Sequence, residues 1–348
     1  TGFHALGGAE MKLADYVAQF FVARGIHSVF GMSGGAAVHL FDAIGRAEGI
    51  QYICVQHEQA AAIAADGYAR ETGSVGVAVT TSGPGATNLL TGMCCSFYDS
   101  IPTVMLTGQV ASFRIKKDPA LRQKGFQETD IVAMAKPVTK YAVQLDAPDR
   151  IRFELERAWW TAQEGRPGPV LVDIPDDFQR AEVDPNDLEG FLAPIDTMPQ
   201  IDAETQARMM EFMKSAKRPI CILGSGLNQG ISREVLVSWL EEWGFPFVLT
   251  WGGKALVPAR HKQHAGLVGI CGSRSANYSV QNADLILVLG SRLSQNVTGG
   301  KTEWFGREAK IIMVDIDQSE LDKFALMGIS VMGIHGRVAD FIRLAHPV

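Results

Sequence analysis

Short apolar runs that stop at glycine or hydroxyl residues, each followed by a helical pattern, constrain this chain more than any other feature. Residues 75–81 are the clearest case. They form an unbroken apolar strand without the alternation of a half-exposed one, so both faces must be covered. In the first half, helices are predicted over 15–24, 37–47, 59–70, 85–98 and 150–163, and strands over 27–30, 52–55, 75–81, 103–107 and 170–174. The second half repeats the rhythm, with strands at 219–223, 247–250, 284–289 and 310–316 and a helix at 232–243. Alternation of this kind builds a parallel sheet with helices on both faces. A chain of 348 residues exceeds one ordinary core. The predicted fold is therefore α/β, as two doubly wound parallel-sheet domains.

Residues 175–199 hold four prolines and little periodicity and read as a linker region. The expected division is a leader over 1–10, a first domain over 11–178, a linker over 179–199 and a Rossmann-like second domain over 200–348. Met11-Lys12-Leu13-Ala14-Asp15 reads like a natural start. Net charge is −6 and no basic tract occurs, which argues against a nucleic-acid partner. No apolar run reaches the length of a membrane span. None of the five cysteines forms a CxxC pair, and Cys54, Cys94 and Cys221 lie in apolar runs. Buried structural thiols in a reducing cytoplasm are the expectation, and no metal ligand set is visible.

Three strand-to-helix joins carry unusual residues: Gly31-Met32-Ser33-Gly34-Gly35-Ala36, Gln56-His57-Glu58-Gln59, and Thr81-Ser82-Gly83-Pro84-Gly85-Ala86-Thr87-Asn88. Joins at the carboxyl edge of a parallel sheet are where open α/β folds build their sites. Glycines there let backbone approach a ligand. Glu58 alone is ambiguous, because acidic residues in a first helical turn also complement the helix dipole. Together the three joins suggest one shared ligand site. They match no phosphate loop, and no lysine follows them to neutralise phosphate. In the second half, Gly224-Ser225-Gly226 is a fragment of a dinucleotide fingerprint. Asp315 and Asp317 stand ready either for ribose hydroxyls or to cap the helix that follows. The segment 112–128 has loop character and carries Arg114, Lys116, Lys117, Arg122 and Lys124, read as a solvated loop rather than an anion site.

Several strings in order then carry a family resemblance: His57-Glu58-Gln59-Ala60-Ala61, Gly67-Tyr68-Ala69-Arg70, the Thr81–Asn88 run, Asp99-Ser100-Ile101-Pro102, Phe126-Gln127-Glu128 and Gly165-Arg166-Pro167-Gly168-Pro169. From Met11 to about Asp177 the chain resembles the N-terminal, pyrimidine-binding domain of thiamine-diphosphate enzymes of the acetolactate synthase group. The second half is similar to their central domain through Asn282-Ala283-Asp284, Gly290-Ser291-Arg292 and Asp315-Ile316-Asp317.

The resemblance implies that Glu58 hydrogen-bonds N1′ of the cofactor's aminopyrimidine and so favours the tautomer whose N4′ removes the thiazolium C2 proton. Such a carboxyl works protonated, the form that burial favours in general. Gly35 and Ala36 would lie at the turn beside the pyrimidine amino group, with Thr81, Pro84 and Asn88 around the ring. Phe126 and Gln127 match positions near the reacting substrate. Gly224, Gly226, Arg292 and Asp315 are the candidates for FAD or another nucleotide. The implied reaction is decarboxylation of pyruvate and addition of the two-carbon unit to a second carbonyl compound, in a homodimer or homotetramer acting on small keto acids.

The family's diphosphate domain holds Mg²⁺ through a Gly-Asp-Gly string, which this chain does not contain. The third domain is therefore expected to be absent, and the chain by itself inactive. Ser33 and His39 stand where the group usually has Pro, Cys271 where it often has His, and residues 112–123 are longer than usual. These departures weaken FAD and point to a divergent member. Another decarboxylase or C–C hydrolase of the superfamily is the alternative, as is a non-catalytic nucleotide- or flavin-binding fragment.

Overall fold

The computed structural model describes residues 10–195 and 197–347. The chain divides after Pro194 into two compact units. Its strands in order are β1 (Met11–Lys12), β2 (Ser28–Met32), β3 (Gln51–Cys54), β4 (Gly76–Thr80), β5 (Thr103–Gln109), β6 (Tyr141–Gln144), β7 (Pro169–Pro175), β8 (Glu182–Val183), β9 (Pro219–Leu223), β10 (Phe247–Leu249), β11 (His264–Leu267), β12 (Leu285–Leu289), β13 (Lys310–Asp315) and β14 (Val331–His335).

The first unit is a six-stranded sheet of order β3-β2-β4-β5-β7-β6, parallel throughout. Strands β4, β5 and β7 are buried at every position. Their alternate residues feed two apolar clusters: Val77, Val79, Leu106 and Val172 face one, and Ala78, Met105 and Leu171 the other. This is why residues 75–81 carry no polar alternation. From β2 the chain first runs outward to β3, then returns across β2 to β4 and continues the other way. The order reverses between β2 and β4, the topological switch point at which α/β sheets bind ligands.

Helix Glu58–Thr72 lies very close to this sheet because its buried face is alanine: Ala61, Ala62, Ala65 and Ala69. A Cβ on Gly76 would fall 1.9 Å from the Ala65 carbonyl oxygen, and one on Gly92 would fall 2.3 Å from Ala62 Cβ. Small residues thus set the height at which the helix, and Glu58 at its start, sits over the strands.

The second unit is again six-stranded and parallel, in the order β11-β10-β9-β12-β13-β14, with its own switch point between β9 and β12. Ile220 and Ile222 face one core, and Cys221 and Leu223 the other. Both sheets were expected, but their outer strands β6, β11 and β14 were not. Edge strands need less apolar surface, and these three are mostly half-buried with no continuous hydrophobic run. Helices Ile131–Ala135, Ala203–Ser215, Arg274–Gln281 and Val338–Leu344 also escaped the sequence pattern.

The helix expected over 85–98 is two: Pro84–Thr87 and Leu90–Asp99. At the step between them the Leu89 N–H bonds Ala86 rather than the residue four back. The stretch 175–199 is structured in its first part. Helix Asp176–Gln179 follows β7, β8 pairs antiparallel with β1, and Leu188 is buried in the first core. Cys54 is exposed and Cys94 half-buried, contrary to the buried thiols expected, while Cys221 is buried. Cys54 ends the edge strand β3, so its apolar neighbours in sequence do not enclose it.

The alanine–glycine seam can be tested by unfolding in urea. Gly76→Ala should destabilise by about 1–3 kcal/mol or more through overpacking against the Ala65 carbonyl. Gly67→Ala, on the open side of the same helix, should stabilise by about 0.5–1 kcal/mol. Equal effects at the two positions would contradict the packing described.

Candidate active site

All strands of the first sheet are parallel, so their carboxyl ends share one edge. There the turn after β2 meets the turn after β4. A Cβ on Gly34 would lie 2.5 Å from Thr81 Cβ, which is why the backbone can pass so close. The Ala36 N–H donates to Thr81 Oγ1 at 3.2 Å. The Ala36 carbonyl accepts from Gln179 Nε2 at 2.7 Å, and a Cβ on Gly108 would stand 2.0 Å from that carbonyl oxygen. Gly35 between them is exposed.

Glu58 opens helix Glu58–Thr72 and is only 8% exposed. It is not the cap. His57 is the N-cap residue, its Nδ1 accepting the Gln59 N–H at 3.1 Å. Glu58 is therefore released from capping. Among the described residues its side chain has a single hydrogen bond, from Asn88 Nδ2 to Oε2 at 2.8 Å. The other oxygen, Oε1, lies over Gly85, where an added Cβ would approach to 3.3 Å and would also press on Thr81 Cγ2 at 2.7 Å. The step between the two short helices is what presents Asn88 to Glu58. Pro84 is exposed at the first turn of its helix.

Gln127 reaches the same edge. Gly83 has φ +61°, and a Cβ there would be 2.9 Å from Gln127 Cβ. Gln127 itself has φ +61°, a conformation uncommon for a side-chain-bearing residue. Phe126 beside it is 84% exposed. Both are carried by the 112–128 loop, which is more ordered than its polar sequence suggests. The buried Glu128 carboxylate accepts backbone N–H groups of Lys116 (2.8 Å), Lys124 (2.7 Å) and Gly125 (3.1 Å). Burial alone would raise its pKa. The three N–H donors and the Lys116 charge outweigh that and hold the carboxyl below the usual range. Lys116 Nζ bonds the Leu121 carbonyl and Lys124 Nζ the Phe113 carbonyl, so two of the five basic residues are spent inside the loop.

Three polar residues around β7 escaped the sequence reading. Asp173, fully buried, accepts from Thr107 Oγ1 (2.6 Å), Gln109 Nε2 (2.9 Å) and Gln144 Nε2 (2.8 Å). Burial pushes it up to about 6, against the pull of these donors. Gln109 Nε2 also bonds the Thr129 carbonyl, which ties the end of the loop to this hub. Asp177 accepts from Ser112 at the loop's start, and Gln179 is the donor to Ala36. A carboxylate inside the apolar run Val170-Leu171-Val172-Asp173-Ile174 was the available signal for the first of them.

In the second unit Gly224 and Gly226 come together with Gly290 across the β9/β12 switch point. A Cβ on Gly224 would be 2.2 Å from the Gly290 carbonyl oxygen, and the Gly226 N–H donates to that oxygen at 2.9 Å. These glycines serve backbone-to-backbone packing. Arg292 is exposed, and its carbonyl accepts from Lys323 Nζ. Asp317 caps helix Gln318–Leu326, while Asp315 Oδ1 accepts the Asp317 N–H at 3.0 Å. Among the described residues no cluster of three or more His, Cys, Asp or Glu could hold a metal, and no helix is long and apolar enough to cross a membrane.

Residues 11–134 match the family model described as thiamine pyrophosphate enzyme, N-terminal TPP binding domain, and residues 206–343 match the central domain of the same enzymes. The chain is 37% identical over 330 residues to a probable acetolactate synthase large subunit of Methanocaldococcus jannaschii, covering 93% of this chain and 54% of that protein. It is 36% identical over 326 residues to the acetolactate synthase isozyme 2 large subunit of Escherichia coli, covering 93% and 57%. Against the acetolactate synthase large subunit of Lactococcus lactis it is 36% identical over 320 residues, covering 92% and 54%. The chain spans about half the length of the curated relatives it matches.

Glu128→Gln should lower stability at neutral pH by about 1–3 kcal/mol, because three N–H donors lose their anion. A carboxyl whose pKa falls on folding stabilises above the ordinary Glu value of about 4.3, and that contribution is lost as pH drops through the folded pKa. The difference in Tm between variant and wild type should therefore shrink as pH falls below about 4. A difference that stays constant with pH would contradict the hub.

Proposed function

This chain belongs to the thiamine pyrophosphate enzymes, through their N-terminal and central domains, and from that premise we propose that the carboxyl edge of its first unit is the pyrimidine half of a thiamine diphosphate site. The observation that carries the reading is Glu58: a buried carboxyl relieved of capping by His57, held at one oxygen by Asn88 and open over Gly85 at the other. The pyrimidine fits this set, since Glu58 would hold a ring nitrogen and Thr81, Asn88 and the Gly35–Ala36 turn would surround the ring. Among the described residues no His, Cys, Asp or Glu cluster could hold Mg²⁺, and the reading leaves the metal and the diphosphate to another part of the full-length protein.

When bound, thiamine diphosphate would supply a carbon acid whose deprotonated form is a nucleophile toward keto-acid carbonyls. Glu58 would hydrogen-bond the pyrimidine N1′, and Asn88 fixes the carboxyl's orientation. Thr81 ties the Ala36 turn in place. The Gly83–Pro84–Gly85 backbone forms a wall that brings Gln127, and with it exposed Phe126, toward the substrate side. The proposed activity of the whole protein is carboligation of the acetolactate synthase type, with pyruvate as donor and a second carbonyl compound as acceptor, in a homodimer or homotetramer. FAD on the Gly224–Gly226 edge is a separate proposal, decided by the flavin absorbance of the purified protein.

The full-length protein, given thiamine diphosphate, Mg²⁺ and pyruvate, should release CO₂ and yield a carboligation product with a second keto acid. No turnover of pyruvate would sink the carboligase reading. Glu58→Gln should slow C2-proton exchange of the bound cofactor by roughly 10²–10⁴-fold, the usual contribution of a positioned proton-transfer group. Unchanged exchange would remove Glu58 from the mechanism.

A further inference from the structure

Helix Asp176–Gln179 follows directly on β7 and packs against both the Gly35–Ala37 turn and the start of the 112–128 loop. Two of its side chains reach separate walls of the candidate site. Asp177 accepts from the Ser112 N–H at 2.8 Å and from the Ser112 hydroxyl at 2.6 Å. Gln179 donates from Nε2 to two carbonyls, Ala36 at 2.7 Å and Ile174 at 2.9 Å. With the Thr81 bond to the Ala36 N–H, both polar groups of that residue are fixed inside the protein. The absence of a Cβ at Gly108 makes room for the arrangement.

Gln179 is fully buried, and its Oε1 has no hydrogen-bond partner among the described residues. An unpartnered buried acceptor costs stability. A flipped amide would set that oxygen against two carbonyl oxygens, so the observed orientation is the one the site enforces. The side chain is thus suited to aiming two donors rather than to filling the core.

We propose that helix Asp176–Gln179 is a two-armed brace: Gln179 is the positioning residue for the Gly34–Ala36 turn on the cofactor side, and Asp177 for the 112–128 loop on the substrate side. The proposal rests on the functional reading above for what the two walls contact, but the bracing itself can be tested without it.

Amide hydrogen exchange on the purified chain reads the arms separately. Gln179→Met, which keeps length and removes both donors, should speed exchange of peptides spanning 33–39 about tenfold and leave those spanning 110–118 unchanged. Asp177→Ala should do the reverse, and Asp177→Asn, which keeps one acceptor, should partly restore protection. Should Gln179→Met fail to fold, the neutral Gln179→Leu, which also removes both donors, takes its place. Equal acceleration of both segments in each variant, or none in either, would overturn the brace.

In the full-length protein, Gln179→Met should raise the half-saturating thiamine diphosphate concentration about tenfold with the keto-acid KM unchanged, and Asp177→Ala should raise that KM alone. A split in exchange without the split in kinetics would overturn the assignment of the walls to cofactor and substrate, and with it the functional reading, while leaving the brace standing.

Discussion

The 2.8 Å hydrogen bond from Asn88 to Glu58 joins two crossovers of the first sheet, and each neighbouring feature of the edge serves to make it. His57 takes the cap, so the Glu58 carboxyl is not drawn onto its own helix. The step after Thr87 presents Asn88. The alanine face of helix Glu58–Thr72, lying against Gly76 and Gly92, sets the depth at which Glu58 enters the edge. A carboxyl buried to this degree costs desolvation, and it persists where surrounding packing and donors fix it. Gly85 then leaves its second oxygen facing open backbone instead of a side chain.

The two units use one topological device for different ends. Each sheet reverses order at its centre, and glycines line both switch points: in the first unit Gly34 and Gly85 pass close to the Thr81 side chain, and in the second Gly224 and Gly226 meet the Gly290 backbone. In the first unit a buried carboxyl stands over Gly85. In the second, Gly224, Gly226 and Gly290 pack on one another, and the nearby aspartates serve turns and a helix cap. The shared architecture therefore does not place the same groups at both edges, because the buried carboxyl depends on a single residue at the start of a helix.

Central strands and glycine joins were legible because both are local. Val75 to Thr81 must be covered on both faces, and Thr81-Ser82-Gly83-Pro84-Gly85 must turn. Glu58 could be singled out for the same reason, although only the placement of His57 Nδ1 shows that it is not the cap. Edge strands β6, β11 and β14 escaped because one-sided burial leaves a faint pattern. The polar hubs escaped because their partners are remote: Gln179 lies 143 residues from Ala36, Asp173 64 from Gln109 and Asp177 65 from Ser112. Nothing local marks such pairs, and the proline-rich composition of 175–199 suggested a linker where a strand end and a short bracing helix are found.

The most direct test is a crystal structure of the full-length protein with thiamine diphosphate bound. A Glu58 carboxylate oxygen at about 2.6–3.0 Å from the pyrimidine N1′, hydrogen-bond range, with Asn88 still on the other oxygen and the ring against Thr81, is the expected result. A pyrimidine bound elsewhere, or Glu58 turned away from it into a capping position, would contradict the assignment of this edge as the cofactor's half-site.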